Sequence, residues 1–392
     1  DLGKLKDAEL STRKAIQLNP NYAEAYSNLG NIFTDLGKLQ EAELSTRKAI
    51  QLNPNYAKAY FSLSTLRYSN ESQKWKDQLF CKNILNNRLP REQVDIYFAR
   101  ANILHKKKKY EDSSKYLQLA NNLKLNLRRS NSDTIINISN TLLIESNKKD
   151  ILKEIKATFP ESIFIVGMPR SGSTLLESIL SMNINIDNLG ECNILEKSFI
   201  EKKEIDKKVT LAELYWKNIS NNKNELRITT NKGLYNYLYA GIISSQIPNA
   251  KIIHCYRNPL DNILSIYRAH FAIGNDYSSS LVDCTKVYLN QEEVMTQYKN
   301  RFRSKIYNLN YDSLVTNPNK EIRSLISWLG WEWNNSYLSP HLNPRSVSTR
   351  SNVEIRSPIN SKSVGGWTNY KNMLKPAIEI LAQTERYQDL TS

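Results

Sequence analysis

Residues 163–174 read IFIVGMPRSGST and hold the residue types best suited to binding an anion. An apolar run enters a turn bounded by Gly167 and Gly172, and the residues that follow, TLLESILSM, predict a helix. A strand that ends in such a turn presents backbone N–H groups and the positive end of a helix to an anion. The segment therefore predicts a loop that binds a phosphate or a sulfate ester.

The spacing Gly167-x4-Gly172-x-Thr174 is that of the phosphate loop of nucleotide triphosphatases, with one change. Those enzymes place a lysine where this chain has Ser173, and the cation here, Arg170, comes three residues earlier. Such a loop can hold an ester without the lysine that serves β- and γ-phosphates. For these residues alone, an ordinary strand, turn and helix with a chance glycine spacing is the alternative.

A second cation follows another predicted strand. The apolar run 251–256 ends just before Arg257, Asn258 is suited to cap the next helix, and Ser265 lies two turns into that helix. Strands alternating with helices predict a parallel sheet covered on both faces. Because ligands of such sheets bind at the carboxyl ends of the strands, Arg170 and Arg257 are expected to converge on one anionic ligand.

Three later segments add polar groups to the same half of the chain. Lys232 lies in TNKGLYNY, and Tyr311 lies near the end of a predicted strand, IYNLNY. Residues 347–370 form a polar loop that carries Arg356 and Lys362. No cluster of histidines and cysteines has the spacing of metal ligands, so no metal is expected.

This ordered set, spread over residues 159–392, resembles the sulfotransferases. The matching segments are PRSGST, the NK before a helix, PNAKIIHCYRNPLDNILS, YDSLVTNP, and the pieces STRSN, RSPI and SVGGW. Together with the N-terminal repeats described below, they look like bacterial repeat-containing sulfotransferases, and the last loop also resembles tyrosylprotein sulfotransferases. The resemblance implies transfer of a sulfuryl group from 3′-phosphoadenosine 5′-phosphosulfate (PAPS) to a hydroxyl, with adenosine 3′,5′-bisphosphate (PAP) as product.

The resemblance also implies roles for individual residues. The members of the loop that wraps the 5′-phosphosulfate are Arg170, Ser171, Gly172, Ser173 and Thr174. Arg257 and Ser265 match the pair that holds the 3′-phosphate, and Tyr311 matches a tyrosine near the nucleotide. Ser351 matches a serine near the transferred sulfate, and Lys232 matches the lysine that neutralises the bridging oxygen. Arg356 and Lys362 complete the predicted cofactor-binding set.

Glu191 matches the glutamate that acts as the base in the tyrosylprotein branch. A carboxylate within reach of the acceptor hydroxyl can take its proton. The alternative is that Glu191 is an acid at the N-terminus of the next helix. His254 lies inside an apolar strand and is expected in the core, whereas His341 and His270 are expected to be exposed and are alternative bases.

The first part of the chain is a repeat array. Residues 1–23 recur at 35–57 with two changes, and the period of 34 residues and the placed small residues are those of tetratricopeptide repeats (TPRs). Two-helix units of this kind stack into a solenoid. We therefore predict an all-α TPR solenoid over residues 1–125, a helical linker over 126–158, and a P-loop-type α/β domain over 159–392.

Charge and composition bear on partners and location. The net charge is +15, and residues 1–158 hold 27 Lys and Arg against 17 Asp and Glu. This excess favours an acidic peptide or protein on the TPR face, although a Lys-rich composition alone would also produce it; no nucleic acid is expected. The TPR unit either binds such a partner or only braces the second domain or a homodimer. Four scattered cysteines favour a reducing, cytoplasmic location. Because the chain begins within a repeat, targeting is left open.

Two other functions compete with sulfuryl transfer. A P-loop kinase would need the missing lysine and an acidic strand for magnesium. A TPR scaffold with an inactive sulfotransferase domain would not need the cations of the second half, all of which are present. No 18-residue apolar run predicts a transmembrane helix.

Overall fold

The computed structural model describes residues 2–66, 74–147, 159–205, 209–220, 228–343, 345, 347, 349 and 352–391. Helices alone occupy the N-terminal part, and an α/β unit follows. This confirms the predicted fold class. Within the described ranges, no helix combines the length and the apolar composition needed to cross a bilayer.

The N-terminal helices pack as antiparallel pairs because small residues lie where the helices meet. A Cβ added at Gly30 would lie 2.3 Å from the Oγ1 of Thr46, and Ala42 and Ala49 are fully buried. The helices of this part are α1 (Leu2–Leu18), α2 (Ala23–Asp35), α3 (Leu39–Leu52), α4 (Ala57–Thr65), α5 (Lys74–Phe80), α6 (Pro90–Lys106), α7 (Tyr110–Leu127) and α8 (Ser132–Ser146).

Two of the hairpins turn through the same left-handed backbone conformation. Gly37, between α2 and α3, has a φ of +77°, and Lys108, between α6 and α7, has a φ of +57°. In each turn this residue donates its N–H to the carbonyl three residues earlier, that of Thr34 at 3.0 Å and that of His105 at 2.9 Å. The backbone geometry is therefore repeated, although the side chains differ.

The α/β unit has a parallel sheet with the strand order β2-β3-β1-β4-β5 among the described residues. Its strands are β1 (Ser162–Gly167), β2 (Ile186–Gly190), β3 (Ile228–Asn231), β4 (Ala250–Tyr256) and β5 (Ile306–Asn310). Its helices are α9 (Ser173–Leu180), α10 (Ile194–Glu204), α11 (Leu211–Ser220), α12 (Ala240–Gln246), α13 (Pro259–Tyr267), α14 (Leu281–Arg301), α15 (Tyr311–Thr316), α16 (Pro318–Leu329) and α17 (Lys375–Leu381).

The central strand β1 is apolar on both faces because helices cover both. Phe164 and Val166 pack with residues of α11, α12 and α14. Ile163 and Ile165, which point the other way, pack with residues of α9 and α16. The alternation fixes the register of β1, so the turn at its carboxyl end is held at a defined point on the edge of the sheet.

The helical and α/β parts share a hydrophobic core. Phe98 of α6 and Leu117 of α7 belong to the same buried cluster as Leu260 of α13. The Asn121 side chain donates a hydrogen bond to the Tyr267 carbonyl at 3.0 Å, so α7 is fixed against the end of α13. The solenoid is therefore packed directly on the sheet unit through α13.

His270 lies in this contact and is not exposed, contrary to the sequence prediction. Its ring stacks on Phe98 with centroids 4.7 Å apart, and its Nε2 lies 3.0 Å from the Asp95 carboxylate. The sequence around His270 is polar enough to suggest a surface, but the solenoid covers it. This position makes His270 part of the contact between the two units.

Candidate functional site

The predicted anion loop is a tight turn between β1 and α9. Gly167 has a φ of +139°, and a Cβ there would lie 2.2 Å from the Cys255 carbonyl oxygen. Gly172, directly before Ser173, has a φ of +94°. Arg170 adopts a left-handed φ of +66° without being glycine, which is uncommon and typical of functional turns. The backbone conformation therefore favours glycine at both positions.

Ser171 and Thr174 of the loop are buried, and neighbouring elements contact the loop. Ser171 is buried, and its Oγ has no hydrogen-bond partner among the described residues. The Asn262 side chain of α13 donates to the Pro169 carbonyl at 3.0 Å, which holds the loop against that helix. Thr174 lies in the first turn of α9, and its hydroxyl is 3.3 Å from that of Thr349. The loop is thus held by contacts with α13 and Thr349, and the buried Ser171 hydroxyl is available for a further bond.

Tyr311 covers the loop from the end of β5, two strands away from β1 in the sheet. It follows β5 directly, and a Cβ added at Gly172 would lie 2.2 Å from the Cδ2 of its ring. Its hydroxyl lies 3.0 Å from the Oγ of Ser363. The guanidinium of Arg257 lies over the same ring, 4.7 Å from the centroid. The ends of β1, β4 and β5 thus meet at one point, as expected for a parallel sheet.

Arg257 is buried between two carboxylates. Its Nη2 lies 3.7 Å from Asp261 and its Nε 3.8 Å from Asp312, and Nη2 donates to the Ser363 carbonyl at 2.8 Å. Its Nε has no hydrogen-bond partner among the described residues. Burial raises the pKa of Asp261, although the Gly365 N–H donates to its carboxylate and opposes the rise. The site holds a positive group whose charge is partly balanced.

The local sequence explains why Arg257 is so placed. Asn258 caps α13 by accepting from the backbone N–H groups of Leu260 and Asp261, which confirms the predicted cap. Because the cap starts α13 at Pro259, directly after β4 ends at Tyr256, Arg257 lies at the junction of strand and helix. A cavity of about 560 Å³ lies beside it, between β4, β5 and α14.

Ser265 contacts Arg170 directly. The Arg170 Nε donates to the Ser265 Oγ at 3.1 Å, and Nη2 of the same guanidinium pairs with the Glu354 carboxylate at 3.0 Å. The loop cation is therefore held by a helix hydroxyl and by an acid of the C-terminal loop, residues 343–370. The pairing of Ser265 with Arg257 on one phosphate stays a prediction.

A chain of alternating charges lies on the other side of α9. Lys232 is 1% exposed; its Nζ donates to the Glu191 carboxylate at 2.8 Å and lies 3.7 Å from that of Glu177. Arg345 donates to Glu177 at 2.9 Å. Glu191, at the open end, is 53% exposed. The predicted base and the predicted catalytic lysine are thus in direct contact.

The sequence motifs match known families over both parts of the chain. Models of the tetratricopeptide repeat match residues 1–37, 23–56 and 94–126. The model of the sulfotransferase family matches residues 160–210 and 198–335. The chain carries a sulfotransferase-family domain behind tetratricopeptide repeats. This confirms the resemblance on which the sequence predictions were based.

Two curated relatives show the same likeness. An uncharacterized protein of Aquifex aeolicus is 29% identical over 328 residues, which cover 74% of this chain and 43% of that protein. The protein-tyrosine sulfotransferase of Drosophila melanogaster is 23% identical over 231 residues, 52% of this chain and 46% of the relative. This chain therefore spans less than half the length of each.

Solved structures show a weaker likeness. The sulfotransferase domain from the curacin biosynthetic pathway is 18% identical and has a TM-score of 0.43. The match covers 58% of this chain and 98% of that domain.

Three residues of the sulfotransferase domain escaped the sequence predictions. Glu177 is charged but lies in the otherwise apolar run TLLESIL, and an acid on a buried helix face is a sign of a pairing partner. Arg345 and Glu354 gave no such sign, because each contacts a residue more than 160 positions away in the chain. Their roles depend on the path of the C-terminal loop.

Arg356, Lys362 and Ser351 are the remaining residues that the sequence assigns to the cofactor. The Arg356 guanidinium donates to the carbonyls of Asn343 and Arg345 at 3.0 and 2.7 Å, and it lies against Gly37 of the solenoid. Lys362 is exposed. Their cofactor-binding roles stay predictions, as does that of Ser351, which lies outside the described residues.

Two histidines considered as bases or core residues are also placed. His254 is buried in β4 and bonded to Gln291 at 2.6 Å, which confirms the predicted core position. Burial lowers its pKa to about 4. His341 is half-buried and not exposed as predicted, because the short 3₁₀ helix that holds it packs on α9. Neither ring contacts the loop in the bonds described here.

Proposed function

We propose that this protein is a sulfotransferase that moves a sulfuryl group from PAPS to a hydroxyl acceptor. The observation that supports the proposal most is the loop 167–174, in which Gly167, Arg170 and Gly172 all have positive φ between the end of β1 and the start of α9. The loop falls within the part of the chain that the sulfotransferase family model matches. A loop of this shape at a helix N-terminus suits a phosphosulfate.

The polar groups around the loop fit such a donor. The buried Ser171 hydroxyl and the Arg257 Nε are donors without a hydrogen-bond partner among the described residues. Leaving a buried donor without a hydrogen bond is costly, so both groups are suited to bind anionic oxygens of a ligand. PAPS supplies an activated sulfuryl group and, at its other end, a 3′-phosphate.

Charge stabilisation is the main task of the residues that face the reacting group. In our proposal the amides of residues 171–174 and Arg170 hold the anionic end of the donor, and Arg170, whose guanidinium has five N–H donors, stays paired with Glu354. Lys232 donates to the leaving oxygen while Glu177 holds its amine in place. Because Lys232 is buried, the dielectric around it is low, and its charge interacts strongly with negative charge that develops on the leaving oxygen.

The remaining members of the predicted site are assigned to the nucleotide. Ser351 is assigned to the sulfate, and Arg257, Ser265, Tyr311, Arg356 and Lys362 are assigned to the nucleotide portion, as the family resemblance implies. Arg257 would then leave Asp261 or Asp312 in part to meet the 3′-phosphate. A charge-assisted bond to phosphate is strong enough to compete with ion pairs at 3.7 and 3.8 Å.

Glu191 is proposed as the general base. Its carboxylate is half exposed and so is accessible to an acceptor hydroxyl, while Lys232 fixes one of its oxygens. The acceptor is a protein tyrosine, a glycan or a small metabolite. We further propose that the basic TPR unit binds an acidic peptide or protein, or supports a homodimer.

Thermal unfolding with PAP tests the donor assignment. A ligand that binds only the folded state adds about 2.7 kcal/mol to the unfolding free energy at a hundredfold excess over its dissociation constant. PAP is expected to raise the melting temperature more than adenosine 5′-phosphate, which lacks the 3′-phosphate. Without any shift at saturating PAP, a TPR scaffold with an inactive domain would be the better function. Magnesium-dependent ATP turnover would instead indicate a P-loop kinase.

Incubation with a radiolabelled sulfate donor and a cell extract tests the transfer itself. Label is expected in protein, glycan or small molecules, and separating the three identifies the acceptor class. The Glu191→Gln variant provides the matched background, because it keeps the shape of the site and lacks the proposed base.

A further inference from the structure

One segment of the C-terminal loop lies between the solenoid and the phosphate loop. On the solenoid side it meets the turn that joins α2 to α3. The Asn352 side chain donates to the Asp35 carboxylate at 2.9 Å, and the Val347 N–H donates to the Asp35 carbonyl at 3.1 Å. One residue of the solenoid thus accepts two bonds from this segment.

Apolar and cationic packing strengthens the same contact. Val353 packs against the hydrophobic core of the repeats. The Arg356 guanidinium lies against Gly37, where a Cβ would come within 2.9 Å of its Nε. Burial lowers the pKa of Arg356, and the negative charge of Asp35 opposes this shift. The segment is therefore seated on the turn by hydrogen bonds, packing and charge together.

The opposite side of the segment meets the candidate site. Glu354 pairs with Arg170 at 3.0 Å, and the Thr349 hydroxyl lies 3.3 Å from that of Thr174. Arg345 donates to the Glu177 carboxylate at 2.9 Å. Side chains close to one another in sequence thus contact the solenoid on one side and the loop and helix α9 on the other.

The position of Asp35 at the end of its helix makes its carboxylate a suitable probe of this contact. It is the last residue of α2, where the negative end of the helix dipole disfavours a carboxylate. An aspartate recurs at the equivalent repeat position, Asp1, and in Asp35 the carboxylate accepts the bond from Asn352. Removing the carboxylate would not weaken α2 through the dipole, so an effect on the site could be separated from loss of the helix.

We propose that the Asp35–Gly37 turn of the TPR unit positions the sulfuryl-transfer site by holding the described residues of 345–356 against the phosphate loop. Asp35 is then a positioning residue, which acts on Arg170 through Asn352 and Glu354. The inference rests on the proposed function for the identity of the site. The contact itself depends only on the geometry described above.

The repeat array offers a matched control. The α6–α7 turn has the same backbone conformation, with Lys108 at the position of Gly37, and Lys108 is exposed. A Lys108→Ala change therefore alters an equivalent turn that the described hydrogen bonds and ion pairs of residues 345–356 do not reach; the C-terminal loop meets the flank of that turn through Tyr370, whose hydroxyl lies 2.8 Å from the Nδ1 of His105. Asp35→Ala removes the acceptor of the Asn352 bond, Asn352→Ala removes its donor, and Asp35→Asn keeps an oxygen acceptor.

Amide hydrogen exchange on the full chain tests the coupling without any ligand. In Asp35→Ala and Asn352→Ala we expect exchange in residues 352–356 and in the loop 167–174 to accelerate at least about threefold. Exchange in β5 should not change, and Lys108→Ala and Asp35→Asn should behave as wild type. Unchanged exchange in the loop 167–174 of both alanine variants would overturn the proposal.

Kinetics with PAPS and a working acceptor supply the second readout. We expect kcat to fall at least about tenfold in each alanine variant, because small displacements of catalytic groups are costly. The double variant should be no worse than either single, since both remove the same bond. Asp35→Asn should restore kcat, and an Asp35→Ala variant with wild-type kcat would refute the inference.

The two proposals fail in different ways. If the wild-type chain binds no PAP and transfers no sulfuryl group, the proposed function is wrong, while faster loop exchange in Asp35→Ala would still establish the coupling. If the wild type is active and its loop is indifferent to Asp35, the function stands and the coupling is wrong.

Discussion

At the scale of single residues, the pairing of Lys232 with Glu191 is the contact that most constrains the chemistry. An ammonium group has three donors, so Lys232 can hold Glu191 and Glu177 and still donate to a leaving oxygen. The same contact fixes one Glu191 oxygen and leaves the carboxylate half exposed. The proposed base and the proposed catalytic cation are therefore already in contact in this structure.

Replacing Glu191 by Gln is expected to lower turnover by roughly 10²–10⁴-fold, because the shape of the side chain is kept and its capacity to take a proton is lost. Affinity for PAP, measured by calorimetry, should stay within about threefold of wild type. Glu196→Gln, an exposed acid in the first turn of α10, is the matched control and should be fully active. Near-normal turnover in Glu191→Gln would remove Glu191 from the mechanism.

Replacing Glu177 by Gln is expected to reduce the unfolding free energy by roughly 2–5 kcal/mol, because Lys232 and Arg345 lose a buried counter-charge. Urea unfolding measures the loss. Glu111→Gln provides the comparison, since the carboxylate of Glu111 pairs with Lys115 at the surface, where such pairs contribute about 0–1 kcal/mol. Equal losses in the two variants would show that Glu177 is not a structural partner of the cations.

Among the elements, the turn between β1 and α9 was largely predictable and its surroundings were not. The apolar run, the glycines and the Asn258 cap are local signals, so strand, turn and helix follow from neighbouring residues. The Arg170–Glu354 pair joins residues 184 positions apart and depends on the path of an irregular loop. Local propensities do not encode such a contact, which is why no role for Glu354 was predicted from the sequence.

Gly172→Ala is expected to abolish PAP binding or to weaken it more than about tenfold. Alanine is strained at the left-handed φ of this position, and its Cβ would lie 2.2 Å from the Tyr311 ring. The loop and the ring therefore cannot both keep their positions. Gly274→Ala separates the two effects, because Gly274 has a similar φ of +103° and nothing within 4 Å of its Cβ position. If both variants bind PAP alike, the packing of Tyr311 on the loop is unimportant for binding.

For the whole molecule, the sequence predicted both the repeat array and the parallel sheet but not how they join. The 34-residue period and the alternation of strands with helices are regular patterns. The shared core is not periodic: it forms because α6 and α7 pack on α13, which no single segment reveals. His270 was expected to be exposed for this reason and is in fact stacked on Phe98.

Acid is expected to destabilise the fold before the carboxylates titrate. Burial lowers the pKa of His254 to about 4 and that of His105, which meets Tyr370 across the two units, to about 3. Both are neutral in the folded state, whereas the unfolded chain takes up their protons near the ordinary value of about 6.5. The unfolding free energy should therefore fall as pH drops from 6.5 toward 4, by roughly 2 kcal/mol for each histidine at pH 5.

Urea unfolding at pH 7, 6 and 5 measures this dependence. His105→Gln cannot take up a proton, so its unfolding free energy should fall less steeply over the same range. A variant that keeps the slope of the wild type would show that His105 does not titrate on unfolding.

The contact between the C-terminal loop and the Asp35–Gly37 turn limits where a repeat can be added to the array by duplication. The stretch from Asp35 to Asn121 is attached to the sheet unit at both ends, through Asn352 at one and Tyr267 at the other. A repeat inserted inside that stretch would carry the two attachments apart, whereas a copy added before α2 would disturb neither. Unequal recombination between the near-identical segments 1–23 and 35–57 is therefore expected to be tolerated where the added copy lies before α2.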